Sequence, residues 1–370
     1  MIKVSRRELS NALSFLGKVV QHRTTMPVLQ SIKMSVGDTL EMTATNLVTT
    51  LTRKVDIMDN GVGFSLCAPY DKLSQVISVD AGDSVILDYD NGTLTVKIGN
   101  HKVRIPTIVA DEFPMINTDN MENVCYIGAE ALKGCVERVA FAANRSVEIP
   151  VRNSIYFDGS ASSLSLAALD GIGVMSFIDT GVDTRKSSFS FMIPLATVPL
   201  LSYLNDPVYI ALGKNQIALK TVNTEIVSQI VDGQYPSYRA LPPKTYDLTM
   251  RGATSDMISA LKMIIPFAKE DYNVCVMDVD VVSSSAKLSS RSTPQSAQVG
   301  ESSSTIPLEV SGKTDSPTIR VMFNAEYMIS ALQRATNKFS IDVSVNPPWA
   351  RIQSDPQDGW ASFVVFMQPK

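Results

Sequence analysis

Apolar residues recur at helical spacing in three stretches of this chain. Leu9, Ala12, Leu13, Leu16 and Val20 would line one face of a helix from about Arg6 to Gln21. Leu132, Val136, Val139 and Ala143 would do so from about Ala129 to Asn144, and Ile258, Leu261, Ile265 and Ala268 from about Ser255 to Lys269. Steps of three and four positions mark an amphipathic helix, and Pro266, which has no N–H, should distort the last turn of the third. Elsewhere the period changes to two. Three alternating stretches read as hairpins: Val85 to Ile98 around Asn91-Gly92, Val208 to Leu219 around Gly213-Lys214, and Ile341 to Ile352 around Asn346-Pro347.

These elements come in a fixed order, and the order occurs three times. Leu9 and Leu132 stand 123 positions apart. Val28-Leu29-Gln30-Ser31-Ile32 is echoed by Val151-Arg152-Asn153-Ser154-Ile155, each leading into a strand after its helix. A second helix opens at Pro69-Tyr70-Asp71-Lys72-Leu73, again at Pro194-Leu195-Ala196-Thr197-Val198, and again at Asn324-Ala325-Glu326-Tyr327-Met328. Phe113-Pro114 returns as Tyr235-Pro236, 122 positions later. The 370 residues therefore divide into 1–122, 123–246 and 247–370, with boundaries near Glu122 and Tyr246. Helices combined with antiparallel hairpins make the expected class α+β. The polar stretch Ser283 to Ser304 reads as a strand-connecting loop or as polar strands with a long tip.

Composition narrows the functional classes. Hydrophobic residues at 45% and charged residues at 19% are ordinary for a globular protein. No run of 18 apolar residues occurs and the start, Met1 to Arg7, lacks the apolar stretch of a signal peptide, so no membrane association and a cytoplasmic location are expected. Four scattered cysteines read as free thiols. The two histidines, His22 and His101, form no metal-binding spacing, and no catalytic motif, metal site or cofactor site is expected. Ser311-Gly312-Lys313-Thr314 looks like the end of a phosphate-binding loop, but Pro307 stands where that loop needs glycine. Gly171-x-Gly173 lacks the third glycine of a nucleotide-binding turn. A triplicated α+β enzyme built on carboxylates stays open as a different class of reading, although no carboxylates cluster in the sequence.

Charge placement gives the first functional clue. The net charge of −4 argues against generic nucleic-acid binding. Yet the six helical windows (5–23, 69–79, 128–145, 194–206, 252–270 and 324–338) hold twelve Lys/Arg against eight Asp/Glu, while the rest of the chain is acidic. Modestly basic helices on an acidic body suit a loose, sequence-independent contact with phosphates rather than a tight grip.

Local wording adds a family resemblance. Arg23-Thr24-Thr25-Met26-Pro27-Val28-Leu29 is similar to an Arg-x-Thr-x-Pro-Ile-Leu pattern, and Thr45-Asn46-Leu47 to a Thr-Asp-Leu strand. Ile149-Pro150-Val151-Arg152-Asn153-Ser154 follows Arg-Pro-x-Leu-Asn-Gly, and Ala168-Leu169-Asp170-Gly171-Ile172-Gly173-Val174 follows Ala-Thr-Asp-Gly-His-Arg-Leu. The clearest match is Ile230-Val231-Asp232-Gly233-Gln234-Tyr235-Pro236-Ser237-Tyr238-Arg239, beside Leu-Ile-Asp-Gly-x-Phe-Pro-Asp-Tyr-Arg. Phe323-Asn324-Ala325-Glu326-Tyr327 and Val299-Gly300-Glu301 match Phe-Asn-x-x-Tyr and Ile-Gly-Glu. Together, and over the whole chain, these resemble the bacterial sliding clamps, the β subunits of DNA polymerase III.

The resemblance implies three DNA-clamp domains per chain and a head-to-tail homodimeric ring around double-stranded DNA. Such a ring is a non-catalytic processivity factor. Replicative polymerase and clamp loader would dock through short peptide motifs. A clamp-like scaffold encoded by a virus or mobile element, with altered partners, is the alternative. The implied DNA-facing residues are Arg23, Lys72, Lys133, Arg138, Arg145 and Lys338, with His101, Lys102 and Arg104 as a basic loop. The implied partner-peptide pocket comprises Arg152, Leu169, Gly171, Ile172, Val174, Pro236, Leu241, Val364 and Phe366. Here the chain departs from the pattern: Arg152, Leu169, Ile172 and Gly173 replace Leu, Thr, His and Arg, and the tail reads Phe366-Met367-Gln368-Pro369-Lys370. At the implied dimer interface, Ile265 and Phe267 supply apolar contacts and Lys102 or Arg104 faces Glu301.

Overall fold

The computed structural model describes residues 1–59, 61–114, 118, 120–146, 148–160, 163–184, 188–205, 207–290, 300–312 and 316–367. The middle of the Ser283–Ser304 stretch, Val299, Lys313-Thr314 and the tail from Gln368 lie outside the described residues.

The element order repeats as the hydrophobic pattern predicts. It begins β1 (Ile2–Ser5), α1 (Arg6–Leu16), β2 (Ser31–Val36), β3 (Thr39–Thr45), β4 (Thr49–Asp59), β5 (Ser65–Pro69), α2 (Tyr70–Ser78), β6 (Ser84–Asp90), β7 (Thr93–Ile98), β8 (His101–Pro106) and a short β9 (Ile108–Val109). It resumes with β10 (Glu122–Ile127), α3 (Ala129–Ala140), β11 (Ser154–Ser160), β12 (Ser163–Leu169), β13 (Val174–Asp179) and β14 (Phe189–Pro194). A 3-10 helix (Leu195–Tyr203), β15 (Val208–Leu212), β16 (Gln216–Lys220) and β17 (Thr224–Gln229) follow. The third round is β18 (Leu248–Ala253), α4 (Thr254–Ala268), β19 (Val274–Asp280), β20 (Ser285–Ser290), β21 (Ser303–Pro307), β22 (Glu309–Gly312) and β23 (Thr318–Asn324). It ends with α5 (Ala325–Leu332), β24 (Lys338–Ser344), β25 (Trp349–Ser354) and β26 (Trp360–Val365).

Several details differ from the sequence pattern, each for a local reason. α1 stops at Leu16, short of Gln21, and Val19 and Val20 are buried in the turn that follows. Gly17 is its C-cap, and a Cβ there would fall 2.0 Å from the Tyr70 hydroxyl, which accounts for glycine at that position. α3 stops at Ala140 rather than Asn144. α4 runs two residues past Pro266, and its buried stripe is Met257, Ala260, Leu261, Ile264 and Ala268; Ile258 and Ile265 are half-buried at its margin. The second helix of the middle round is a 3-10 helix with Pro199 inside it, where no N–H is available for the α pattern. Of the two readings of Ser283–Ser304, polar strands hold for Ser285–Ser290 and for Ser303 onward.

Two compact units result. In the first, Met1–Lys133 with Ala196–Ile230, thirteen strands run β10-β15-β16-β17-β4-β1-β6-β7-β8, with β3, β2, β5 and β9 branching from β4. In the second, Gly134–Leu195 with Val231 onward, nine strands run β14-β11-β12-β13-β26-β25-β24-β18-β22, and four more run β21-β20-β19-β23. All these pairings are antiparallel. Neither unit coincides with one 123-residue round, because strands of successive rounds pair directly.

That pairing follows a rule. The last strand of the second round, β17, pairs β4 of the first, from Thr224 opposite Arg53 to Ser228 opposite Thr49. The last strand of the third, β26, pairs β13 of the second, from Val174 opposite Val364 to Ile178 opposite Trp360. By position β8 is the counterpart of β17 and β26. β21 and β22 together are the counterpart of β4, which pairs β3 and then, at Ile57 and Asp59, β1; β21 pairs β20 and β22 pairs β18. Among the described residues β8 pairs only β7, and β21 only β20.

Candidate functional site

The sequence-expected basic residues fall into two sets. Arg23, Lys72 and Arg145 are exposed, and Lys338 is exposed at the start of strand β24 rather than on a helix. Others are engaged within the fold. Lys133 donates to Glu130 at 2.7 Å. Arg138 pairs with Asp358 at 2.5 Å and lies 5.6 Å from the Trp360 ring. Arg334, on which no role was placed, donates to the Glu137 carbonyl at 3.0 Å and covers Phe141. His22, beside Arg23, sits 3.4 Å from Asp71. Cations already matched by carboxylates contribute less field toward an external phosphate.

His101, Lys102 and Arg104 belong to a strand, not a loop: β8 is exposed from His101 through Arg104, with Ile105 buried, and among the described residues it is the end strand of its sheet. Lys102 stands directly opposite Lys97, and like charges across a ladder destabilise it unless something acidic covers them. Beside this edge lies an apolar hollow of about 210 Å³ lined by Val76, Val79, Ala81, Val96, Ile98, His101 and Val103. Sequence reasoning missed this hollow, since its residues come from α2, the turn after it, β7 and β8 and share no motif. In the second unit, Ile265 and Phe267 are half-buried on α4, and Met263 between its turns is exposed. Ser302, next to Glu301, donates its hydroxyl to the Met263 carbonyl at 3.1 Å, which ties the start of β21 to the same helix.

Of the partner-pocket candidates, Arg152, Leu169, Gly171, Ile172, Val174 and Val364 lie at or beside the tip of the β12–β13 hairpin. Asp170 organises it: Oδ1 accepts the N–H groups of Ile172, Gly173 and Val174 at 2.8, 2.9 and 3.0 Å. The Tyr327 hydroxyl also bonds to Asp170; burial first, and that carboxylate second, push the phenol up to about 12. Gly171 adopts φ +74°, and a Cβ there would fall 2.4 Å from Arg152 Nε; a Cβ on Gly173 would fall 2.8 Å from the Tyr327 ring. The tip thus presents Ile172, 73% exposed, with Arg152 against one flanking glycine and Tyr327 against the other. Leu169, Val174, Val364 and Phe366 are buried beneath, while Pro236 and Leu241 are exposed. Tyr327 is the residue missed here. Its motif was visible, and Asn324 explains the motif's asparagine by accepting the Glu326 and Tyr327 N–H groups at the start of α5.

The strongest motif turns out to be architectural. Gly233, at φ +130°, lets the chain pass Val151, and Tyr235 stacks on Tyr156 at 4.4 Å. Tyr238 donates to Asp158 at 3.1 Å, and Arg239 reaches Asp179 and the Ser165 hydroxyl. Burial acts to raise the Asp179 carboxyl, but hydrogen bonds from Arg239 and Ser165 outweigh it and hold the group below its usual range. Burial pushes the Cys67 and Cys125 thiols up to about 11 and Cys275 up to about 12, which makes them inert packing groups. Among the described residues no three His, Cys, Asp or Glu side chains assemble as a metal site, and no helix is long and apolar enough to cross a membrane.

Comparison with known proteins adds independent findings. The sequence pattern described as "DNA polymerase III beta subunit, N-terminal domain" matches residues 1–117, and "DNA polymerase III beta subunit, central domain" matches residues 126–237. Together they span more than half of the chain. A "Beta sliding clamp" of Pseudomonas putida is 23% identical over 335 residues, 89% of each chain. One of Chlamydia muridarum is 24% identical over 358 residues, 93% of each. The crystal structure of the DNA polymerase III subunit beta from Pseudomonas aeruginosa superposes with a TM-score of 0.91 at 20% identity, covering all of both chains.

Proposed function

The chain belongs to the DNA polymerase III β-subunit family, the bacterial sliding clamps, and from that premise we propose how its residues carry out a clamp's task. It is a DNA sliding clamp, a processivity factor that performs no chemistry of its own. Family membership implies a dimeric ring around DNA that holds the polymerase. Neither the triplicated-enzyme reading nor the mobile-element scaffold is favoured by relatives that bear the clamp name throughout.

We read the chain as three clamp domains, 1–122, 123–246 and 247–370, joined through shared sheets. The pairing rule supports this and is the observation that carries the ring: β17 lies on β4, β26 lies on β13, and among the described residues β8 and β21 are the two counterparts with no strand of another round beside them. Continued once more, the rule lays β8 of one copy on β21 of a second, head to tail. Lys102 and Arg104 then meet the strand that follows Glu301, and the apolar hollow beside β8 receives Ile265 and Phe267 of α4. Covering a bare edge also removes its tendency to recruit unrelated strands.

A ring held on DNA by topology needs only a weak field toward phosphates. Arg23, Lys72, Arg145 and Lys338 supply it with exposed cations, while Lys133 and Arg138 serve mainly inside the fold. Polymerase and loader dock by short peptides at the β12–β13 tip, Ile172, Pro236 and Leu241 offering apolar contacts. Tethering keeps the polymerase at high effective concentration near the primer end, so rebinding becomes nearly intramolecular. The test is topological. The protein is loaded on nicked circular DNA, the circle is then cut, and retention is measured: a clamp is lost through the new ends, whereas an ordinary DNA binder stays.

A further inference from the structure

We propose that Arg152 makes the β12–β13 tip a receptor for an acidic peptide, one that presents a carboxylate directly beside an apolar side chain. This rests on the reading of that tip as the partner-binding surface and names the chemistry it selects. The Arg152 side chain is half-buried, with its guanidinium packed against Gly171, where the missing Cβ leaves room for it. Among the described residues that guanidinium has no hydrogen bond or ion pair, although its backbone N–H donates to Ile149 and its carbonyl accepts from Asn144.

Asp170, the neighbour of Gly171, is already committed. Asp170 takes three N–H groups on Oδ1 and bonds the Tyr327 hydroxyl, so it is turned to shaping the tip. Arginine cannot escape by losing its proton, and a partly desolvated cation without an acceptor is unfavourable. Its planar fork suits a carboxylate with two parallel hydrogen bonds. Ile172, next to Gly171 and 73% exposed, supplies the apolar half of the recognition element. A phosphate backbone fits less well. The tip from Asp170 to Gly173 carries no second cation, and an exposed isoleucine gains nothing from a nucleic acid.

Fluorescein-labelled octapeptides of Leu and Phe on a Gly-Ser background, with a single Glu walked through the positions and each paired with its Gln counterpart, test this by anisotropy on the full-length dimer. At one position Glu should bind about tenfold tighter than Gln. Arg152→Leu should reduce that preference below twofold while leaving the Gln peptide bound, and Arg152→Lys should retain part of it. Thermal unfolding of each variant confirms that it folds. Peptides that bind with no Glu preference, or a preference that survives Arg152→Leu, overturn the role of Arg152 and leave the docking surface standing. No binding by any peptide overturns the docking surface itself. Weaker retention of Arg152→Leu on circular DNA, with peptide binding unchanged, would assign the residue to nucleic acid and overturn the proposal.

Discussion

The seam between β13 and β26 and the bare strand β8 are counterparts in the repeat, finished in opposite ways. At the seam five residue pairs face each other and the side chains lock. Trp360, 1% exposed, donates its indole N–H to the Ser176 hydroxyl at 2.9 Å and the Arg138 carbonyl at 3.0 Å, and Ser362 donates to the Met175 carbonyl. The first seam is quieter, with Gln229 donating to the Leu47 carbonyl and Lys54 to that of Asn223. At β8 the same kind of edge carries His101, Lys102 and Arg104 in the open, a like-charge pair with Lys97, and an unfilled apolar hollow. The β13–β26 seam is largely apolar and hydrogen-bonded, whereas the β17–β4 ladder pairs mostly polar residues. On the reading proposed above, β8 is the edge left for a second copy, and its exposed charges discourage unrelated strands.

The comparison can be broken most forcefully at the finished seam. Trp360→Ala removes a fully buried indole and should cost about 3–5 kcal/mol of unfolding free energy, read by urea titration with Trp349 as the remaining fluorophore. A loss under about 1 kcal/mol would mean the seam does not hold its unit together. Charge reversal at the bare edge should weaken assembly without weakening the fold. Lys102→Glu with Arg104→Glu should weaken self-association roughly 10- to 100-fold, or about 1.4–2.7 kcal/mol, in low salt, while the urea midpoint of the isolated chain holds or rises slightly, because Lys102→Glu turns the like-charge pair with Lys97 into an opposite one. Sedimentation at two salt concentrations separates the two effects.

The smallest effect concerns pH. The Asp179 carboxyl is held below its unfolded value, so its contribution is complete above the usual carboxylate range and is lost as pH falls through that range and below it. Because the Asp179–Arg239 pair is partly exposed, water screening keeps the contribution below about 1 kcal/mol. Arg239→Ala should flatten the acid limb of the stability curve and leave the neutral limb nearly parallel to the parent's.

Much of this was legible in the sequence, and the limits were physical. The repeat, the hairpins at Asn91-Gly92 and Gly213, and the helical stripes of α1 and α3 follow from periodicity, which is a local property. The motif around Gly233, Tyr235 and Tyr238 was legible as a marker of the family but not as an aromatic brace, because its partners Tyr156 and Asp158 lie some eighty positions away. Leu261 and Ala268 of the expected α4 stripe are buried, but Ile258 and Ile265 were each one position late, because Ile264 and Ile265 are chemically equivalent neighbours, Met257 and Ile258 nearly so, and only packing separates them. The hollow beside β8 and the Tyr327–Asp170 bond depend on residues brought together by the fold. Which lysines and arginines are free depended on acidic neighbours such as Glu130 and Asp358, the second of which is 220 positions from its partner.

The central claim is that the two bare edges, β8 and β21, are the ends of one joint. Arg104 lies opposite Thr95 and Ser303 opposite Ser289, as Val227 lies opposite Ala218 and Thr50 opposite Thr45 where those two face each other in the first seam. Arg104→Cys combined with Ser303→Cys in one chain places a thiol on each edge. On oxidation the account predicts disulfides only between copies, closing a covalent dimer of twice the 40.3 kDa chain mass that stays on circular DNA in high salt and is lost when the circle is cut. A chain that sediments at 40.3 kDa and forms no cross-link between copies would contradict it.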